Sequence, residues 1–283
     1  MIYEFDYEET LQEIKDNFIK IINLSNSLAD NTSKYREFYT EVGLEFSVAR
    51  ESIKKAEYSL VIDCYTYSEK LLKNTIYHCL EFKTNSNRHI NSFISKKLNP
   101  EKFSPSPKFK EFEEELNSLS SGFKFLLNVN FSKVEIYDSM IKSRHRYAHS
   151  NVYPVDIKQY KSDLIEMLEY LSWECDMFLN SFERHNELEA LFRSIISDSQ
   201  KLKKIHCGKK IRYLTERESY KINVKEFRNN VKIFNKKYLV ELSDISIFKS
   251  VLEVLKKIEK LNFNTNSGTE LAKMCIDLNN ILR

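Results

Sequence analysis

The scarcity of glycine and proline most constrains what this chain can fold into. Its 283 residues contain 4 glycines and 4 prolines. Tight turns need these residues far more than helices do, so the chain is ill suited to a turn-rich all-β fold and favours long helices. Apolar residues make up 42% of the chain and charged residues 30%, which is typical of a globular protein with a sizeable core.

The amino-terminal stretch and the hydropathy favour a cytoplasmic protein without a membrane partner. Residues 1–9 are acidic and lack the basic region of a signal peptide. No apolar run approaches the ~18 residues that span a bilayer. The five cysteines are scattered and form no C-x-x-C pair, so we expect small buried thiols, no structural disulfide and no metal site. No cofactor is implied.

Apolar spacing predicts the helices of the first half of the chain. Residues 7–29 repeat apolar side chains near the helical period, and residues 35–49 do so with an interruption near Gly43. Residues 50–82 carry the longest apolar stripe, which is typical of a helix that lies along another in a bundle. A short helix is expected over 88–97, another from about 111 to 120, and a third over the residues from Val134 to the 141–150 stretch.

A second long helix is predicted after Pro154. Asp156 is its expected N-cap. Apolar residues then repeat at 4-3-4-3-4 spacing and form a core-facing seam: Leu164, Leu168, Leu171, Cys175, Phe178 and Phe182. We expect this helix to end around residues 184–186 and a shorter one to cover 187–199.

The pattern changes near residue 200. Residues 209–213, 231–234 and 238–242 are short β-prone runs, and 235–237 between the last two suggests a hairpin. A helix over 245–261 and a closing helix follow. The expected domains are therefore a helical extension (1–44), a helical domain (45–199) and a small basic α+β module (200–283).

Positive charge is concentrated in one segment. Residues 201–238 contain 13 Lys and Arg against 3 Asp and Glu, whereas residues 1–200 contain 25 against 32. Such asymmetry suggests a module that meets polyanions, with a solvated basic face as the alternative. Lys209, Lys210 and Arg212 are the candidate nucleic-acid contacts in this segment.

Residues able to handle a phosphate and a proton crowd together at one place, between Arg144 and His149. On an unbroken helix five residues advance about 500°, so the two side chains would lie about 140° apart. For both to reach one phosphate, the helix must end between or just after them, or the pair must act across two chains. Asn151 and Pro154 offer such an ending.

These residue types suit metal-free cleavage of RNA. Attack by the 2′-OH on the adjacent phosphorus requires proton transfers, for which histidine is suited near neutral pH. It also requires stabilisation of the phosphorane charge, which arginine can supply bidentately. One Arg and one His per chain are too few for a full acid–base pair, but a twofold dimer would supply two of each. Arg146 and Tyr147 are further candidate nucleic-acid contacts.

The stretch from Arg144 to His149 resembles the signature of the HEPN superfamily (higher eukaryotes and prokaryotes nucleotide-binding). It matches at Arg144, Ala148 and His149 and departs at His145, where Asn is usual. The helix order over residues 45–185 is also similar to that of the family's antiparallel helical bundle.

The resemblance implies a homodimeric, metal-independent endoribonuclease with a composite site, of a kind that serves as a toxin or phage-defence effector. Arg144 would stabilise the phosphate and His149 would transfer the proton. His145 would be an orienting group or a second proton-transfer group. An acidic residue on the early helix, Glu69 or Asp63, would orient the arginine.

Two points remain open. The Tyr that some members carry two residues after the His is replaced here by Asn151, which bears on control by an antitoxin or other regulatory protein. The alternative is a non-catalytic adaptor that binds nucleic acid or protein, in which His149 caps its helix and Arg144 pairs with Glu135 or Asp138.

Overall fold

The fold is given by a computed structural model that describes residues 5–82, 102–120, 123–125, 130–150, 156–203, 218–261 and 267–282, with positions 89, 92, 96 and 99. These residues form nine α-helices and no strand, which confirms a mainly α fold. The helices are α1 (Tyr7–Asp30), α2 (Thr32–Glu41), α3 (Phe46–Phe82), α4 (Phe109–Leu119), α5 (Phe131–Ser150), α6 (Ile157–Lys203), α7 (Glu218–Leu242), α8 (Ser246–Lys260) and α9 (Ser267–Ile281). Among them, none is both long and apolar enough to cross a membrane.

The chain divides into two compact units, Met1–Glu183 and Arg184–Arg283. The division falls inside α6, upstream of the boundary expected near residue 200. The segment expected to be a separate extension, residues 1–44, belongs to the first unit, where α1 packs against α3.

Helix α1 covers the predicted residues 7–29, whereas α2 begins at Thr32 and α3 at Phe46, both earlier than expected. Asp6 caps α1, because its side chain accepts a hydrogen bond from the Glu9 backbone N–H at 3.0 Å. Gly43, with φ 72°, adopts the left-handed conformation that glycine favours, and it separates α2 from α3. The predicted interruption near Gly43 is therefore confirmed.

The core of the first unit is formed chiefly by α3 and α6, with buried residues of α1, α4 and α5 packed against them. The predicted seam of α6 from Leu164 to Phe182 is buried at every position, and α6 begins as expected after Asp156, whose carboxylate accepts from Lys158 N at 3.0 Å. The buried Tyr137 hydroxyl lies 2.7 Å from Ser68 Oγ and 3.0 Å from the Pro107 carbonyl oxygen. This cluster joins α3, α5 and the segment before α4.

Helices α3 and α5 run antiparallel. Tyr58, early in α3, contacts Tyr147, late in α5. Ser68, ten residues further along α3, contacts Tyr137, which lies ten residues earlier in α5. Rising numbers on one helix thus meet falling numbers on the other. This register brings the carboxyl-terminal turns of α5 against the first half of α3.

The predicted break at residues 184–186 is wrong, because α6 continues from Ile157 to Lys203. The segment contains neither glycine nor proline, so no backbone feature stops the helix. Apolar residues beyond the seam, including Ile195 and Leu202, are buried in a second core.

The predicted hairpin over 231–234 and 238–242 is also wrong, because these residues lie within α7. Val224, Phe227, Val231, Phe234 and Tyr238 recur at 3-4-3-4 spacing and are all buried. The short β-prone runs are fragments of this helical stripe, and the helical period extends over a longer stretch than either run. The third β-prone run, 209–213, lies outside the described residues.

Polar contacts hold α8 against α7 in the second unit. The Arg228 guanidinium donates to the carbonyl oxygens of Glu259 and Leu261 at 3.3 and 2.9 Å, and so satisfies carbonyls at the end of α8 that have no partner within the helix. Asn235 donates to the Glu259 carboxylate at 2.6 Å. Around these contacts the described residues of this unit are helical, where the sequence had predicted an α+β module.

Candidate functional site

The stretch from Arg144 to His149 lies in the last turns of α5, which continues unbroken from Phe131 to Ser150. A helix ending between the two residues is therefore excluded. Positions 144 and 149 lie about 140° apart around the axis. Two of the expected geometries remain, an ending just after the pair and a site shared by two chains. The side chains of His145 and His149 lie outside the described part of the structure.

The Arg144 side chain lies on an aromatic ring of the neighbouring helix. Its Cζ is 3.9 Å from the centroid of the Tyr65 ring on α3, and both side chains are half-buried. A cation over a ring face is attracted by the quadrupole of the ring, by about 0.5–1 kcal/mol at exposed sites and about 2 kcal/mol when desolvated. The contact restricts the rotamers of a long side chain, and the guanidinium N–H groups that do not face the ring can still donate to an anion.

A second aromatic contact fastens the same turns of α5 to α3. The rings of Tyr58 and Tyr147 stack with centroids 4.0 Å apart and planes at 26°. The buried Tyr58 hydroxyl donates to the Ser143 carbonyl oxygen at 3.4 Å. Tyr58 therefore covers one face of the Tyr147 ring, and that face of this candidate contact is not accessible to a base. Arg146, beside it, is exposed.

The candidate acidic residues of α3 lie to either side of Tyr65. Glu69 is one turn further along the helix and accepts a hydrogen bond from Ser104 Oγ at 2.8 Å. Asp63, two residues before Tyr65, is half-buried, and this burial raises its pKa. The residue that the structure brings to Arg144 is thus the aromatic Tyr65.

Neither carboxylate proposed in the non-catalytic alternative is placed to pair with Arg144. Asp138 accepts a hydrogen bond from the Phe109 backbone N–H at 2.8 Å and thereby satisfies the start of α4. Burial raises the pKa of Asp138, and the Phe109 hydrogen bond and the nearby Lys142 oppose the shift. Glu135 is nine positions before Arg144, on the opposite side of α5.

The charged surroundings of α5 lie on a different side from Arg144. Positions 138, 142, 145 and 149 fall within about 60° of one another around the axis, and position 144 lies about 100–160° away from them. Two of these positions are occupied by Asp138 and Lys142, which lie near each other. Lys142 also lies near Glu111. Lys108 and Glu111 form an ion pair at 2.6 Å, whose hydrogen bond lowers the pKa of Glu111. Within one chain, Arg144 and the two histidine positions therefore belong to different faces of α5.

The sequence analysis missed Tyr58 and Tyr65. They are seven residues apart on α3 and share one face of it, which Glu69 also shares. The seven-residue spacing was the signal in the sequence that the two tyrosines share a face, but it does not reveal which helix packs against that face. Lys209, Lys210 and Arg212, the candidate nucleic-acid contacts of the carboxyl-terminal segment, lie outside the described residues.

Comparison of the chain with models of protein families, with curated proteins and with solved structures finds no match. Any functional conclusion therefore rests on the residues of this chain and on their geometry.

Proposed function

We propose that this protein is a metal-independent endoribonuclease of the HEPN type that cleaves RNA at a site shared by two copies of the chain. The observation that carries the proposal is the Arg144 guanidinium held 3.9 Å from the Tyr65 ring, on the helix that also carries His149. Arginine positioned by a neighbouring ring is a preorganised phosphate-binding group, as transition-state stabilisation requires.

The proposed reaction is transesterification within the RNA. The 2′-OH loses its proton and its oxygen attacks the adjacent phosphorus, while the bond from phosphorus to the 5′ oxygen breaks and that oxygen gains a proton. The products are a 2′,3′-cyclic phosphate and a 5′-OH end. In this scheme His149 transfers protons, Arg144 stabilises the negative charge of the phosphorane, and His145 orients the reactants or serves as a second proton group.

Two arguments support a composite dimer site. Removal and delivery of a proton require two acid–base groups, and two copies would supply two His149 side chains. In addition, α5 is unbroken between Arg144 and His149, so the two positions lie on different faces of one helix. A twofold axis near the end of α5 would allow Arg144 of one chain and His149 of the other to approach one phosphate.

The experiment is incubation of the purified protein with total RNA in EDTA. We expect cleavage by the wild type and its loss in Arg144→Ala and His149→Ala. Arg50→Ala, which removes an exposed arginine of α3, is the matched control and should cleave normally. Cleavage that requires added metal ions, or that survives both substitutions, contradicts the proposal. A mixture of wild type with excess His149→Ala tests the shared site: mixed dimers hold a single intact His149, so activity should fall below the fraction of wild-type chains, whereas activity proportional to that fraction would contradict a site shared by two chains.

A toxin or phage-defence role follows from the same resemblance. Expression of the wild type should arrest the growth of a bacterial host, and His149→Ala should not. Control by an antitoxin or other regulatory protein belongs to this proposal. Growth arrest that persists with His149→Ala would separate toxicity from cleavage.

The second candidate function is a non-catalytic adaptor. The observation that favours it is the half-buried position of Arg144 and Tyr147 against α3, since such contacts also serve to fasten one helix to another. An adaptor for nucleic acid would bind RNA with an affinity that falls with salt and would leave the RNA intact.

A further inference from the structure

Exposed lysines form a line along one side of α7. Lys221, Lys225, Lys232 and Lys236 are all exposed. Their spacing of 4, 7 and 4 residues places them within about 60° of one another around the axis. We define these four lysines as the lysine ridge. It extends over 16 residues, and Lys236 lies about 22 Å along the axis from Lys221 at the helical rise of ~1.5 Å per residue.

The side of α7 that faces away from the lysine ridge packs into the fold. The apolar stripe centred on Phe227 and Val231 is buried in the core of the second unit, about 120° around the helix from the ridge. Arg228 shares the side of the lysines, but its guanidinium donates to the carbonyl oxygens of Glu259 and Leu261. The ridge is therefore exposed on a helix that the buried apolar stripe and Arg228 hold in place.

Within the described part of the chain, no acidic side chain neutralises the charge of the ridge. Among the described residues, none of the four ridge lysines forms an ion pair, whereas the adjacent Lys237 pairs with Glu187 at 2.9 Å. Glu218, in the first turn, is the acidic residue of α7 on the same side. Lys221 and Lys225 are two positive charges four residues apart, and so are Lys232 and Lys236. Equal charges at this spacing destabilise a helix. A bound polyanion would relieve this repulsion.

We propose that the lysine ridge binds the phosphate backbone of a single nucleic-acid strand. At an axial rise of ~3.4 Å per nucleotide, its 22 Å faces about six nucleotides. A membrane surface is less suitable, because membrane-binding helices present a continuous apolar face beside their basic one. The exposed apolar residues of α7, Ile222, Ile233 and Val240, lie beside the ridge but 11 and 7 residues apart, with Glu226, Asn229 and Lys237 between them, so they form no continuous apolar face. This inference rests on the proposed function in one respect, namely that the nucleic acid bound in the cell is RNA.

The test uses the full-length protein and a fluorescent 20-nucleotide single-stranded DNA, which lacks the 2′-OH and so cannot undergo the proposed cleavage. Binding is measured by anisotropy between 50 and 300 mM KCl. Replacement of all four ridge lysines by Gln should weaken binding and reduce the slope of log K against log salt by about 2–3, since each single-strand phosphate contact contributes ~0.7. Replacement of the same four by Arg keeps the charge and should preserve binding.

The matched control removes the same charge elsewhere. Lys20, Lys34, Lys102 and Lys124 are exposed lysines of the first unit, and their replacement by Gln should leave the slope unchanged. An unchanged slope in the ridge variant, or an equal loss in the control, overturns the inference, as does stronger dependence on the ridge for phosphatidylserine vesicles than for the strand. Circular dichroism verifies that each variant is folded. Because the DNA cannot be cleaved, loss of ridge binding and loss of ribonuclease activity are observed separately.

Discussion

The contact between Arg144 and Tyr65 allows the sharpest test of the site. Tyr65→Phe keeps the aromatic face under the guanidinium, whereas Tyr65→Leu keeps an apolar side chain and removes the face. Both side chains are half-buried, so the attraction should lie in the middle of the usual range, at about 1 kcal/mol. If this energy holds Arg144 where the transition-state charge develops, its loss lowers the rate about fivefold.

The assay is the cleavage of a fluorogenic RNA oligonucleotide in EDTA, measured as kcat/KM. We expect Tyr65→Phe to match the wild type and Tyr65→Leu to fall about fivefold. Equal losses in the two variants would point to the Tyr65 hydroxyl and refute the argument from the ring face.

The same contact can be tested without any enzymatic activity. In a double-mutant cycle on urea unfolding, Tyr65→Leu and Arg144→Met should couple by about 1 kcal/mol, because each substitution alone already removes the stacked pair. Additive effects of the two substitutions would show that the contact contributes nothing to stability.

Three further predictions concern the fold. Phe234, fully buried in α7, should cost about 3–5 kcal/mol of unfolding free energy when replaced by Ala, whereas Val240→Ala, at a side chain 82% exposed, should be nearly neutral in urea denaturation. Asp156→Ala should remove about 1 kcal/mol by uncapping α6, measured as a lower Tm, and an unchanged Tm would contradict the role of the carboxylate. Burial raises the pKa of Asp63, so ionisation of this group opposes folding and stability is lost as the pH rises through its folded pKa. Asp63→Asn should therefore raise the Tm at pH 7 and have little effect near pH 3, below the unfolded pKa of ~3.9, and a gain in Tm that is the same at both pH values would contradict this reasoning.

The sequence predicted helices well where apolar residues repeat over a long stretch. The seam of α6 from Leu164 to Phe182 and the stripe of α3 both span many turns, so only a helix can bury each of them on one side. The prediction failed in α7, where residues 231–234 and 238–242 were read as two strands. Short β-branched and aromatic runs fit either period, and burial of Phe234 and Tyr238 together with Val224 decided for the helix.

The candidate site divides in the same way. Arg144 and His149 were found from the sequence because they lie close together in it, and helical geometry alone separates them by about 140°. Tyr65 was not found, because nothing local to residue 65 indicates an arginine 79 positions away. That contact depends on the antiparallel register of α3 and α5, which the packing of side chains such as Ser68 and Tyr137 sets.

By itself the sequence determined the helical class of this protein, through its scarcity of glycine and proline, and the position of its one concentrated set of arginines and histidines. Only the tertiary structure decided that the Arg144 guanidinium lies over the Tyr65 ring. It also decided that Arg228 donates hydrogen bonds to carbonyl oxygens at the end of α8, while the ridge lysines remain exposed. The physical reason is the range of the interactions. Periodicity and helix-breaking residues act within a few turns of one helix, whereas the partner of a side chain depends on which helix packs against it and in which register.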